Sequence, residues 1–101
     1  MASPSPPRSV APSPVVDLNR AVALAQVEGP AAGLDAVEEL VADGRLDAYA
    51  PLHAARADMM RRVGRPRDAA ASYARAAELT GNPAERAFLA ARAQALEGGP
   101  A

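Results

Sequence analysis

The residue types that carry out chemistry are scarce in this chain. His53 is its one histidine, and there is no cysteine. An imidazole can serve as general base or metal ligand, but either task needs a nucleophile, a carboxylate or further ligands within reach. Pro51 and Leu52 beside it, at the start of a helical run, point instead to a packed, hydrogen-bonded side chain. Asp35, Glu38 and Glu39 could be read as a carboxylate cluster for a cation, yet their helical spacing also describes an ordinary solvated face, which is the simpler reading. No glycine-rich phosphate loop is present, and without cysteine there is neither a disulfide framework nor a thiolate zinc site. The sequence thus leads us to expect no catalytic, cofactor-binding or metal-binding residues, and a protein that is not an enzyme.

Four arginines, Arg61, Arg62, Arg65 and Arg67, surround Gly64 in "MMRRVGRPRDAAASYARAAEL". Such a cluster can grip a phosphate backbone, and a small helical nucleic-acid-binding protein using the Arg61–Arg67 turn is one reading of it. The other is local. Arg61 and Arg62 fall in the last turn of a helix, where cations suit the dipole, and Asp58 stands three and four residues before them. No aromatic residue is interleaved to stack on bases, and 11 basic against 12 acidic residues leave a net charge of −1. Direct DNA binding is therefore not expected. On the first helical run Val15, Val16, Asn19, Arg20 and Gln26 offer an apolar edge with polar groups beside it. That edge suits the gripping of a protein or peptide, or a pairing of Arg20 with Asp17 or with a neighbouring helix.

The elements that must position these residues are written in glycine and proline. Five of the ten prolines lie in the first fourteen residues, "MASPSPPRSVAPSP", so residues 1–13 read as an extended, disordered tail. Ser13 and Pro14 then cap and open a helix through "VVDLNRAVALAQVE". Gly29-Pro30 ends it and begins a second, from Ala31 to about Ala42. "DGRLDAY" is a loop, and Pro51 opens a third helix to Val63. Gly64 and Pro66 repeat the stop and start, giving a fourth helix to about Thr80, and Pro83 opens a fifth before a short tail at 98–101. No segment alternates as a strand does. Nor does any apolar run approach a membrane span or a signal-peptide core, so a cytoplasmic location is expected. The fold class read from this pattern is all-α with five helices. With 27 alanines, one Phe, no Trp and no Ile, its core must come from close helix contact and not from bulk.

Gly29 and Gly64 stand 35 residues apart, and Pro30 and Pro66 stand 36 apart. This is close to the ~34-residue period of the tetratricopeptide helix-turn-helix repeat. After each turn the positions correspond: Gly33 with Ala69, Val37 with Tyr73, Leu40 with Ala76. Residues 64–83, through Gly64, Ala69, Tyr73, Ala76 and Pro83, resemble the second half of such a repeat, with the final proline two residues late. In the first half the chain's own stripe is Leu52, Ala55, Met59 and Val63 with Met60 alongside, leaving His53 and Arg56 at positions usually apolar in the family. The resemblance implies two tetratricopeptide-like hairpins plus a C-terminal capping helix, with Phe88 and Leu89 covering the second hairpin and a repeat domain spanning 14–97.

A broader resemblance covers residues 13–97. "SPVVDLNRAVALAQVEGPAAGLDAVEEL", "YAPLHAARADMMRRVGRPRDAAASYARAAEL" and "GNPAERAFLAAR" resemble the C-terminal extension of a bacterial group of extracytoplasmic-function RNA polymerase sigma factors, which carries tetratricopeptide repeats behind its DNA-binding domains. The sigma domains themselves are absent from these 101 residues, leaving open a fragment, a gene remnant or a free-standing extension. The resemblance implies a non-catalytic protein–protein interaction module in transcription regulation, with sigma domains, the RNA polymerase core or a second copy as its partner. The residues expected to meet that partner are Val15, Val16, Asn19, Arg20, Asp58, Arg61 and Arg62.

Overall fold

A computed structural model describes residues 13–97, and its helices are α1 (Pro14–Glu28), α2 (Pro30–Asp43), α3 (Ala50–Arg62), α4 (Pro66–Leu79) and α5 (Pro83–Glu97). Among the described residues there is no strand, so the chain is all-α as expected. The tails assigned to 1–12 and 98–101 lie outside the described residues. Ser13 caps α1 as its place before Pro14 led us to expect, its side chain accepting from the Val16 amide at 3.4 Å. The other boundaries move by a residue or two. Pro30 is already helical, α3 starts at Ala50 with Pro51 inside its first turn, and Thr80 caps α4 from outside.

The paired breaks have distinct geometries. Gly29 ends α1 and starts α2 in a single residue, with φ 103° and ψ 161°, a conformation open to glycine and hardly to any other residue. Gly64 follows Val63 at φ 87° in a double closure of α3. The Arg65 amide donates to the Met60 carbonyl at 2.8 Å, and the Gly64 amide donates to the Arg61 carbonyl at 3.1 Å, the bonds of a Schellman motif. These short connections set α1 against α2 and α3 against α4, and α4 in turn packs on α5. The two hairpins meet through α2 and α3, while α1 touches α3 only at its edge.

All six residues matched across the two turns are buried: Gly33 and Ala69, Val37 and Tyr73, Leu40 and Ala76. Gly33 lies where α2 crosses α1. A Cβ there would fall 2.9 Å from the Ala25 Cα and 3.0 Å from the Ala21 carbonyl, and closer still to the Ala25 Cβ. Alanine would favour the helix by ~1 kcal/mol over glycine, but the obstruction is backbone and cannot swing aside. Gly33→Ala should therefore destabilise the chain, by about 1 kcal/mol net of that propensity gain. A denaturant melt showing the variant equal to or more stable than the parent would contradict this close approach.

Around these contacts the core gathers Leu18, Leu34, Leu46, Leu52, Met59, Met60 and Leu89. Ala57 joins it fully buried, while Ala55 and Val63 pack only partly. On α4, Ala74 is half-buried and packs against the core, and Ala71 is the exposed alanine. One expectation, for α5, changes. Phe88 does not cover the second hairpin. It is 58% exposed, and Leu89 and Ala93 carry the contact of α5. The reason is positional, because among the described residues no helix packs on the outer side of α5 to bury an aromatic ring.

Candidate functional site

His53 is buried, and its Nε2 donates to the Asp47 carbonyl at 2.8 Å. The Asp47 carboxylate meets Arg75 of α4 at 3.6 Å, so the loop between α2 and α3 is tied to both arms of the α3–α4 hairpin. The histidine thus secures a loop. Asp35 and Glu39 are exposed, whereas Glu38 accepts from Arg56 at 3.0 Å across the seam between α2 and α3. No group of three or more His, Asp or Glu side chains suited to a metal ion occurs among the described residues.

The arginine turn is internally matched. Asp58 meets Arg61 at 2.6 Å and Arg62 at 3.6 Å, the i,i+3 and i,i+4 pairs expected from the sequence. Asp58 holds the Arg61 guanidinium charged, raising its pKa above the ordinary arginine value with help from the Tyr73 hydroxyl. Arg65 meets Asp68 at 2.9 Å. Each pair is at the surface and stabilises by a modest ~0.2–1 kcal/mol, but together they leave only Arg67 of the four without a carboxylate among the described residues.

On α1 the expected residues share one outer surface. Leu18, Ala21 and Ala25 face the core. Val15, Val16, Asn19 and Arg20 are exposed, together with Ala23 and Gln26, and Val27 is 82% exposed. Beside this surface an open groove of about 410 Å³ runs between α1 and α2, lined by Asp17, Arg20 and Leu24 on one side and Glu39, Leu40 and Asp43 on the other. Arg45 closes one end and donates to Asp43 at 2.7 Å, which holds the Asp43 carboxyl below the usual carboxylate range and keeps it charged. The expected pairing of Arg20 with Asp17 does not form.

The seven residues expected to meet a partner therefore divide in two. Val15, Val16, Asn19 and Arg20 lie together on α1, while Asp58, Arg61 and Arg62 lie on α3 in mutual ion pairs, and none of those three lines the groove that Arg20 lines. Sequence reading missed Val27, Ala23 and the groove. The signal for the first two was available, since residues 16, 20, 23 and 27 follow helical spacing opposite Leu18, Ala21 and Ala25.

No family model matches the chain, and no solved structure matches it. It is similar to an uncharacterized protein of Rhizobium meliloti (strain 1021), 44% identical over 71 residues. The match takes in 70% of this chain but only 16% of that much longer relative. No helix among the described residues is long and apolar enough to cross a membrane.

Proposed function

We propose that this chain is a non-catalytic protein-binding module that docks through the outer surface of α1, in the manner implied by its resemblance to the repeat-bearing extension of sigma factors. The observation that carries this reading is the row of Val16, Ala23 and Val27 left exposed on α1, with Arg20, which has no ion-pair partner among the described residues, beside it. A helix with apolar residues on two opposite sides has one more side than the described residues cover, and a protein partner is the usual occupant of such a side. Sigma domains and the RNA polymerase core are the partners that the resemblance implies, in a cytoplasmic setting. The paired arginines of the α3–α4 turn support a structural role for that turn and not a grip on DNA.

The experiment is a binding titration of the chain against purified sigma domains, RNA polymerase core and duplex DNA, with Val16→Asp as the control. Val16 is half exposed in the first turn of α1, where an added carboxylate suits the helix dipole, so the variant should fold. The expected result is binding to one of the two protein partners, weakened at least about tenfold by Val16→Asp, the loss typical of a truncated interface anchor. Binding that ignores Val16→Asp, or binding to DNA alone with a steep salt dependence, would contradict the proposal.

A further inference from the structure

We infer that α1 and α5 are complementary ends of the stack, so that a second copy of this chain seats its α5 on the α1 surface and copies associate head to tail. This deepens the reading of α1 as a docking surface by naming an occupant present wherever the chain is. Helix α5, like α1, is 15 residues long and carries an uncovered apolar row. Its row is Ala84, Phe88, Ala91 and Ala95, all exposed and opposite the buried Leu89 and Ala93. The α1 row is Val16, Arg20, Ala23 and Val27, and both follow the same steps of four, three and four residues.

Laid antiparallel, these rows pair large with small throughout. Val16 meets Ala95, Arg20 meets Ala91, Ala23 meets Phe88, and Val27 meets Ala84. Alternation of this kind lets a ridge on one helix enter a groove on the other. Antiparallel is also the order of the stack itself, whose successive helices are joined by short connections at Gly29, Gly44–Tyr49, Val63–Arg65 and Thr80–Asn82. Charge agrees with the same register. Asp17 and Arg92 have no ion-pair partner among the described residues, and this pairing brings them to the same flank within two residues' rise of each other. The α5 surface is also stiffened for contact. Arg92 lies over both the Tyr73 and Phe88 rings, at 5.7 and 5.3 Å from their centroids, and fixes the exposed phenyl group against the stack. Because the two surfaces differ, the contact is heterologous and does not close at two copies.

Sedimentation of the full chain from about 10 μM to 1 mM tests this, the range suited to a single helix-on-helix contact at the low end of specific interface areas. The parent should grow in mass past the dimer as concentration rises. Val16→Asp and Phe88→Asp should each remain monomeric, and an equimolar mixture of the two should form a one-to-one dimer and nothing larger, since each variant keeps the surface that the other lacks. A monomeric parent, a parent that stops at the dimer, or a mixture that stays monomeric would overturn the inference. Phe88→Asp leaves α1 intact and should still bind the partner of the preceding section, so the failure of self-association and the failure of that reading are separable.

Discussion

Leu52→Ala should lower the stability of this chain by about 2–5 kcal/mol, the largest loss expected of any single truncation here. Leu52 is completely buried, and with Met60 and Val37 it is among the largest side chains so enclosed. Removing it takes away one of the few bulky side chains of a core otherwise rich in alanine. A domain of this size holds roughly 5–15 kcal/mol in all, so the variant should be near the edge of folding. Denaturant unfolding followed by circular dichroism checks this. A loss under ~1 kcal/mol would mean that the second hairpin does not depend on its few bulky residues.

Ala69→Leu should be the most damaging enlargement, at about 1–3 kcal/mol, because Ala69 has no exposure at all and fills the position that Gly33 fills in the first hairpin. Three added carbons there must push α4 away from its neighbours. The fitting comparison is Ala71→Leu, two residues along on the solvent side of the same helix, which should change stability by less than ~0.5 kcal/mol. Ala74→Leu should fall between them, since Ala74 is half-buried against the core. Equal losses at Ala69 and Ala71 in thermal melts would place the contact face of α4 elsewhere.

What the sequence made legible was local in its physics. Pro14, Pro30, Pro66 and Pro83 open helices because a fixed φ and a missing amide suit the first turn, and Gly29 and Gly64 end them because they alone adopt positive φ cheaply. The Asp58 pairs with Arg61 and Arg62 were legible for the same reason, being set by helix geometry over four residues. Features that depend on how helices meet were not. The bond between Arg56 and Glu38 joins residues 18 apart, and the hold of Arg75 on Asp47 joins α4 to a loop one helix earlier. The exposure of Phe88 ran against its hydrophobicity, because burial requires a neighbour and, among the described residues, α5 has one on a single side. The candidate site divides along the same line. The outer row of α1 follows from periodicity, but the groove beside it, with Glu39 and Asp43 of α2 facing Arg20, exists only once the hairpin closes at Gly29.

Amide resonances of the nitrogen-labelled chain, followed as sigma domains or RNA polymerase core are added, report on the α1 docking surface most directly. The expected result is shifting and broadening concentrated at Val15, Val16, Asn19, Arg20, Ala23 and Val27, with the Arg61–Arg67 turn undisturbed. Changes centred on that turn, or none anywhere with either partner, would contradict α1 as the docking surface.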